Sequence, residues 1–376
     1  MFLDKEINDI YLYEVLRTFG MDLIGLFIPI YIISQGFGFE YALGFLMIEQ
    51  LTGIVLSLPV SHIIARIGFK HSLALSYIFL LPALLLIRST PLTLTVIAGS
   101  SIIYGIGKTL HSVSIDSEFA VDSHSKKRDS ESSKMLGLPN ISRILAPVTG
   151  GVILNQLGFS FLVSTSIAFF LLSAVVLFRS EDHRDPLDYD IKDVVKQNYA
   201  KTFPVFFFRG ILNSAAVTAF ALFTFFFIGS EIDAGAVAAI DNIGLLAVAL
   251  ISGKLSQRFG RAKIITAGLL SSSAIHFLRT IVSTPAQALA VSGIGGVVFM
   301  MYEVPLFSDF ADVAEDEDVL EFYTVKRIIF KAGQITTIGL ITGIGLHSGL
   351  KQGFQAAFIL AGLVSASSIL WTRKDW

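Results

Sequence analysis

Apolar runs of roughly 18–25 residues, long enough to cross a ~30 Å hydrocarbon core as helices, follow one another through almost the whole 376-residue chain. No other feature constrains the fold as much. Inside a bilayer every backbone N–H and C=O must be satisfied within the protein, which leaves helices or closed barrels. Barrel strands are about 10 residues long and alternate in polarity, so runs of this length specify helices. Only 15% of the residues are charged, against about 25% in a soluble domain, and the mean hydropathy is +0.70. Twelve spans are expected, near 11–34, 41–64, 72–88, 92–117, 134–156, 160–179, 202–229, 234–253, 263–281, 287–308, 325–346 and 354–371. Polar connections are expected at 118–133, 180–201 and 309–324. The N-terminal MFLDKEINDI is not the cationic start of a cleaved signal. With no cysteine in the chain, disulfides and thiolate chemistry are excluded.

Charge placement orients the chain. With the N-terminus in the cytoplasm, twenty of the 28 Lys and Arg residues fall on the cytoplasmic side, and three (Arg88, Arg279 and Lys351) fall outside. Five lie within spans: Arg17, Lys108, Arg143, Arg209 and Lys331. This bias follows the positive-inside rule and puts both termini in the cytoplasm.

The chain also repeats itself. SHIIARIGFKHS, between spans 2 and 3, corresponds to SGKLSQRFGRAK, between spans 8 and 9. Arg66 and Arg258, Gly68 and Gly260, Arg17 and Arg209, Glu49 and Asp241, and Gln50 and Asn242 are all separated by 192 positions. One register held over some 50 residues implies two homologous six-helix halves, a design suited to rocking about a central site. The expected units are 1–180, a cytoplasmic linker over 181–201, and 202–376.

On these motifs the chain resembles the major facilitator superfamily. The family's G-x-x-x-D-R-x-G-R-[RK] signature between spans 2 and 3 is matched by Gly253, Arg258, Gly260 and Arg261, and in the first half by Arg66, Gly68 and Lys70. Its aspartate is replaced by Ala65 and Gln257. In that family the loop braces one access state. The resemblance therefore implies gating roles for Arg66, Gly68, Gly253, Arg258, Gly260 and Arg261, with Asp309 or Asp312 standing in for the missing acid. The alternative is that these arginines anchor the loop to anionic headgroups. Ser101 stands where drug–proton antiporters carry an arginine, which counts against a standard drug antiporter. Ala146-Pro147-Val148-Thr149-Gly150-Gly151 is close to the antiporter motif of span 5, and equally reads as a kink for close packing.

Ionisable groups within spans cost about 2.5–3.5 kcal/mol on insertion scales and face the bundle interior. Arg17, Arg143, Arg209 and Lys331 lie about 9–14 Å in from the cytoplasmic ends at ~1.5 Å per residue, with His111 and Glu303 near that level. The resemblance places all six on or beside the transport path, together with Asn213, as candidate substrate contacts. Arginine's planar fork suits a carboxylate or phosphate. Arg17 and Arg209 could equally snorkel to headgroups, and Arg17 could pair with Glu14 one turn before it. His111 is a proton carrier or a packed helix contact. Asp22, Glu49 and Asp241 are candidates for proton coupling, or else for interhelical hydrogen bonds with neighbours such as Gln50 and Asn242. The triple-phenylalanine runs read as packing surfaces, and the acids at 314–318 as a solvated loop.

No phosphate loop, nucleophile elbow or metal-ligand spacing is present. The expectation is a non-enzymatic, cofactor-free, metal-free all-α membrane protein, monomeric, in a plasma or inner membrane, with no nucleic-acid partner. It would move a small solute, best an organic anion, by proton-coupled alternating access. An exporter of amphipathic compounds, a lipid flippase and a non-transporting sensor on the same frame are the alternatives.

Overall fold

The computed structural model describes residues 5–89, 91–122, 131, 134–135, 137–179, 203–315 and 319–372. The expected linker over 181–201 and the cations at 126–128 lie outside them. Twelve helices of span length occupy the described residues. α1 comprises Lys5–Ile24 and Phe27–Ser34, divided where the Gly25 amide still bonds the Met21 carbonyl. There follow α2 (Phe39–Ile67), α3 (Phe69–Ile87), α4 (Leu94–Asp122), α5 (Pro139–Leu157) and α6 (Phe159–Leu177). α7 runs as Phe203–Asn213, a wide π turn at Ser214–Ala219, and Phe220–Phe227. α8 (Glu231–Phe259), α9 (Arg261–Arg279), α10 (Pro285–Glu315), α11 (Val319–Ser348) and α12 (Leu350–Thr372) complete the order.

Neighbouring helices repeat with a shift of six. α1 packs on α5 and α6, α2 on α4, and α3 on α4; likewise α7 packs on α11 and α12, α8 on α10, and α9 on α10. These are the two pseudo-symmetric bundles expected from the 192-residue register. They meet along two seams, α2 with α11 and α5 with α8. The R-x-G turns repeat in backbone as well: Gly68 and Gly260 both sit at positive φ (82° and 87°), a conformation costly for any side chain, and each joins two helices head to tail.

Eight of the twelve helices, α1–α3, α6, α7 and α10–α12, are long and apolar enough to cross a membrane by length and composition. The other four have a reason to be more polar. α4, α5 and α8 line the interior described below, and α9 carries a buried arginine and histidine.

The structure revises the expected connection at 309–324. α10 continues to Glu315 and α11 begins at Val319, so Asp309, Asp312, Glu321 and Lys326 are helical. Polar residues there extend helices beyond the apolar run, because ion pairs satisfy them: Arg261 reaches Asp309 at 2.7 Å and Asp312 at 2.5 Å. α8 begins at Glu231 behind a reciprocal cap, with the Ser230 amide donating to Asp233 at 2.7 Å. The phenylalanine runs of α7 pack as expected. Phe206 meets Phe310 and Phe322, and Phe223 meets Phe354 and Phe358.

α7 and α11 approach closely through glycine. A methyl group at Gly210 would strike the Phe330 carbonyl oxygen, and one at Gly333 that of Phe207. Gly210→Val should therefore lower the melting temperature of the purified chain by the equivalent of about 1–3 kcal/mol. Gly99→Ala, with nothing within 4 Å of the added methyl, should leave it unchanged.

Candidate functional site

Both bundles contribute to a central cavity of about 430 Å³. α1 brings Asp22, α2 Glu49 and Gln50, α4 Lys108, α5 Arg143, α7 Asn213, α8 Asp241 and Asn242, and α11 Gln334. The lining uses Phe45–Gln50 of α2 and Val237–Leu245 of α8, toward the N-terminal ends of these helices, so the cavity occupies the half of the molecule remote from the termini.

Glu49 forms its floor. Its side chain is 2% exposed and takes two ammonium groups. Lys108 of the same bundle lies 3.1 Å from Oε2, and Lys331 of the opposite bundle 3.2 Å from Oε1. Lys331 also donates to the Gln50 side-chain oxygen at 2.9 Å. Gly53 makes room for this lysine, since a methyl there would overlap its Cδ and Cε. Lys331 is fully buried and does not line the cavity. Lys108 turns to Glu49, while His111, one turn on, faces Glu14 and Tyr13 of α1.

Arg143 lies in the open cavity. Its side chain is 37% exposed, 3.5 Å from Asp22 and 3.0 Å from the Asn140 side-chain oxygen. Asn213 accepts from Gln334 at 3.1 Å, and Asn242 donates across the seam to the Arg143 carbonyl at 3.2 Å.

The remaining sequence candidates lie toward the termini and are sealed from the cavity. Arg209 holds Glu303 through two hydrogen bonds, Nε to Oε2 at 2.8 Å and Nη2 to Oε1, between the rings of Phe310 and Phe330. Arg17 is 3.7 Å from Glu14, whose other oxygen is 3.3 Å from His111 Nε2; Tyr13 Oη lies 3.2 Å from His111 Nδ1. His111 and Glu303 are themselves 192 positions apart. The two halves thus build one motif, an arginine on the first helix and a polar partner on the fourth, with Glu14 supplying the carboxylate that His111 lacks. The structure does not gather Arg17, Arg143, Arg209 and Lys331 into one ligand-facing ring. Desolvation explains this, because a buried cation is stable only beside an anion, and each has one.

Below the cavity, cross-bundle contacts close the terminal side. Lys326 reaches Asp116 at 2.9 Å, within a ring of Phe307, Phe310 and Tyr323, and Ser61 meets Thr324 at 2.5 Å. At the connecting turns, Arg66 and Arg258 are exposed, and Arg261 holds the carboxylates of α10. Gly253 lies within α8.

One cation that the sequence places on the outer side is buried. Arg279 ends α9 but is 1% exposed, with Nη2 3.9 Å from Asp241 Oδ1 and the guanidinium 4.7 Å from the Phe220 ring centre. Its place at the end of an apolar run gives the appearance of a loop cation; only the carboxylate of α8 reveals it as internal.

No protein-family profile matches the chain, and no curated protein matches it in sequence. Its structure is similar to the crystal structure of a variant of the E. coli fucose:proton symporter FucP, a major facilitator transporter, with a TM-score of 0.72 over 98% of both chains. At 11% identity the likeness is one of fold, and the chain has the major facilitator fold.

Replacing Lys331 by Met should cost about 3–5 kcal/mol, since Glu49 would stay buried with one cation fewer. The double variant Glu49→Gln/Lys331→Met should recover part of the loss. Thermal melting of the four chains, read as a double-mutant cycle, checks this.

Proposed function

We propose that the chain is a secondary transporter of the major facilitator superfamily that moves a small organic anion, coupled to protons, by alternating access. The observation that carries this reading is the shared cavity, whose volume suits a small solute. Its charge balance favours an anion. Lys108, Arg143, Lys331 and Arg279 stand in or against its wall, opposed by Asp22, Glu49 and Asp241. Four cations against three carboxylates leave one positive charge for the cargo.

Arg143 is the primary contact. It is the most accessible of these guanidinium groups and its link to Asp22 is long, so a cargo carboxylate competes for it at small cost. Asn213, Gln334 and Gln50 offer hydrogen bonds to the remainder of the solute. With both termini in the cytoplasm of a cell whose plasma or inner membrane holds the chain, the cavity belongs to the outer half. Lys326–Asp116 and Ser61–Thr324 are then the contacts that break when the bundles rock open inward. Proton exchange is assigned to the carboxyls that face the cavity. The fucose:proton symporter with the same fold supports coupling of this kind without identifying the cargo.

The test is thermal stabilisation of the purified chain by mono- and dicarboxylates, organophosphates, amino acids and sugars, followed by uptake into proteoliposomes. A cargo at a hundredfold excess over its Kd stabilises by about 2.7 kcal/mol. An anion should give the shift, Arg143→Ala should abolish it with folded yield intact, and Arg209→Ala should instead lose folded protein, because Glu303 is left buried and unpaired. If neutral or amphipathic compounds alone stabilise the chain, or if a bound anion is never carried across the bilayer, the reading fails.

A further inference from the structure

Of the three cavity carboxyls, Asp22, Glu49 and Asp241, two are already well provided for. Asp22 is 36% exposed, so water solvates its charge. Glu49 holds two lysines and the Gln50 amide, at 3.3 Å. Asp241 differs. Its side chain is 14% exposed, and its sole ion-pair partner among the described residues, Arg279, stands at 3.9 Å, beyond hydrogen-bond reach. Arg279 is no better served, for its Nε and Nη1 are buried without a hydrogen-bond partner. His276, one turn earlier on α9, is 2% exposed, and its Nδ1 also has none. A guanidinium enclosed in this way is retained only if a carboxylate balances it for part of the cycle.

The groups around Asp241 are few. α9 presents Arg279 and His276, α10 presents Tyr302, and α5 presents Arg143, while Asp22, Glu49 and Lys108 face it across the cavity. The site is shaped around the pair. A methyl group at Gly295 would lie 3.0 Å from Arg279 Nη2 and 3.7 Å from Asp241 Oδ1. The next residue, Asn242, bonds the opposite bundle at the Arg143 carbonyl. A change at Asp241 is therefore one residue from the seam on which the bundles pivot and from the backbone of the proposed cargo ligand.

We propose that Asp241 is the carboxyl that binds and releases the coupling proton, with Arg279 as its positioning residue behind the cavity wall. The inference rests on the transporter reading above and assigns the proton site within it. Asp241 takes a proton from cavity water and becomes a neutral carboxyl, while Arg279 keeps its charge. Release returns the proton to water and restores the ion pair. Glu49, its counterpart in the first half, instead acts as a fixed tie between bundles.

The test uses dicyclohexylcarbodiimide, which modifies protonated carboxyl groups in apolar surroundings, on the full chain in phospholipid vesicles at neutral pH. Labelled sites are read by peptide mass spectrometry. Asp241 should be modified in preference to Asp22 and Glu49, and the label should vanish in Asp241→Asn. Arg279→Gln should raise the rate at Asp241 at least several-fold, and Arg279→Lys should hold it near the wild-type rate. Gly295→Ala, which crowds Nη2 without removing the charge, gives a second route to faster labelling should Arg279→Gln not fold. Preferential labelling of Glu49 or Asp22 would overturn the assignment. So would an unchanged rate in a folded Arg279→Gln chain or, failing that, in Gly295→Ala. Solute uptake is measured on the same vesicles, so a chain that labels as described but moves nothing refutes transport and leaves the ionic couple intact.

Discussion

A charge withdrawn from water must be met by an opposite charge or stay in contact with water. That constraint organises the interior of this molecule more than any packing preference. Glu49 shows it best. One carboxylate on α2 is held by a lysine of its own bundle and by a lysine of the other, so a single buried anion fastens two halves that otherwise meet along narrow seams. That carboxylate sits where the cavity lining meets the seam of α2 with α11.

The duplicated halves solve the same problem with different residues. Arg209 takes a carboxylate from the fourth helix of its half, whereas Arg17 finds a histidine there and borrows Glu14 from its own helix. Glu49 is tied across the bundles, while its counterpart Asp241 is tied only within its own bundle and loosely. Corresponding helices of the two halves therefore carry unequal electrostatics. The first half is braced, and the second retains a carboxyl whose pairing is incomplete.

Much of this was legible in the sequence because two periodic signals are strong. The apolar run length specifies helices that span, and the register of 192 specifies two halves, down to the positive-φ glycines at 68 and 260. The pairing of Arg261 with Asp309 and Asp312 was also within reach, since the missing aspartate of the turn required a substitute. The pairing of Arg17 with Glu14 was readable from their one-turn spacing, but the sequence withholds the partners that the other intramembrane charges find on distant helices. Arg17, Arg143, Arg209 and Lys331 lie at similar depths, and depth alone suggests a common ring. Depth does not give azimuth: Arg17 and Arg209 turn into pairs away from the cavity, and Lys331 is buried behind its floor against Glu49. Arg279 was missed for the converse reason. A cation at the end of an apolar run looks the same whether it leaves the protein or folds back beneath a carboxylate on another helix. The polar stretch 309–324 misled similarly, because charged residues satisfied by partners continue a helix as readily as apolar ones.

Between α5 and α8 the bundles touch through backbone. A side chain at Gly235 would press on the Pro147 carbonyl, and one at Gly151 would meet the backbone at Glu231 and Ile232. The ion pairs that join the bundles, Lys331 to Glu49 and Lys326 to Asp116, lie instead along α11, so one side of the junction is fitted by shape and the other fastened by charge.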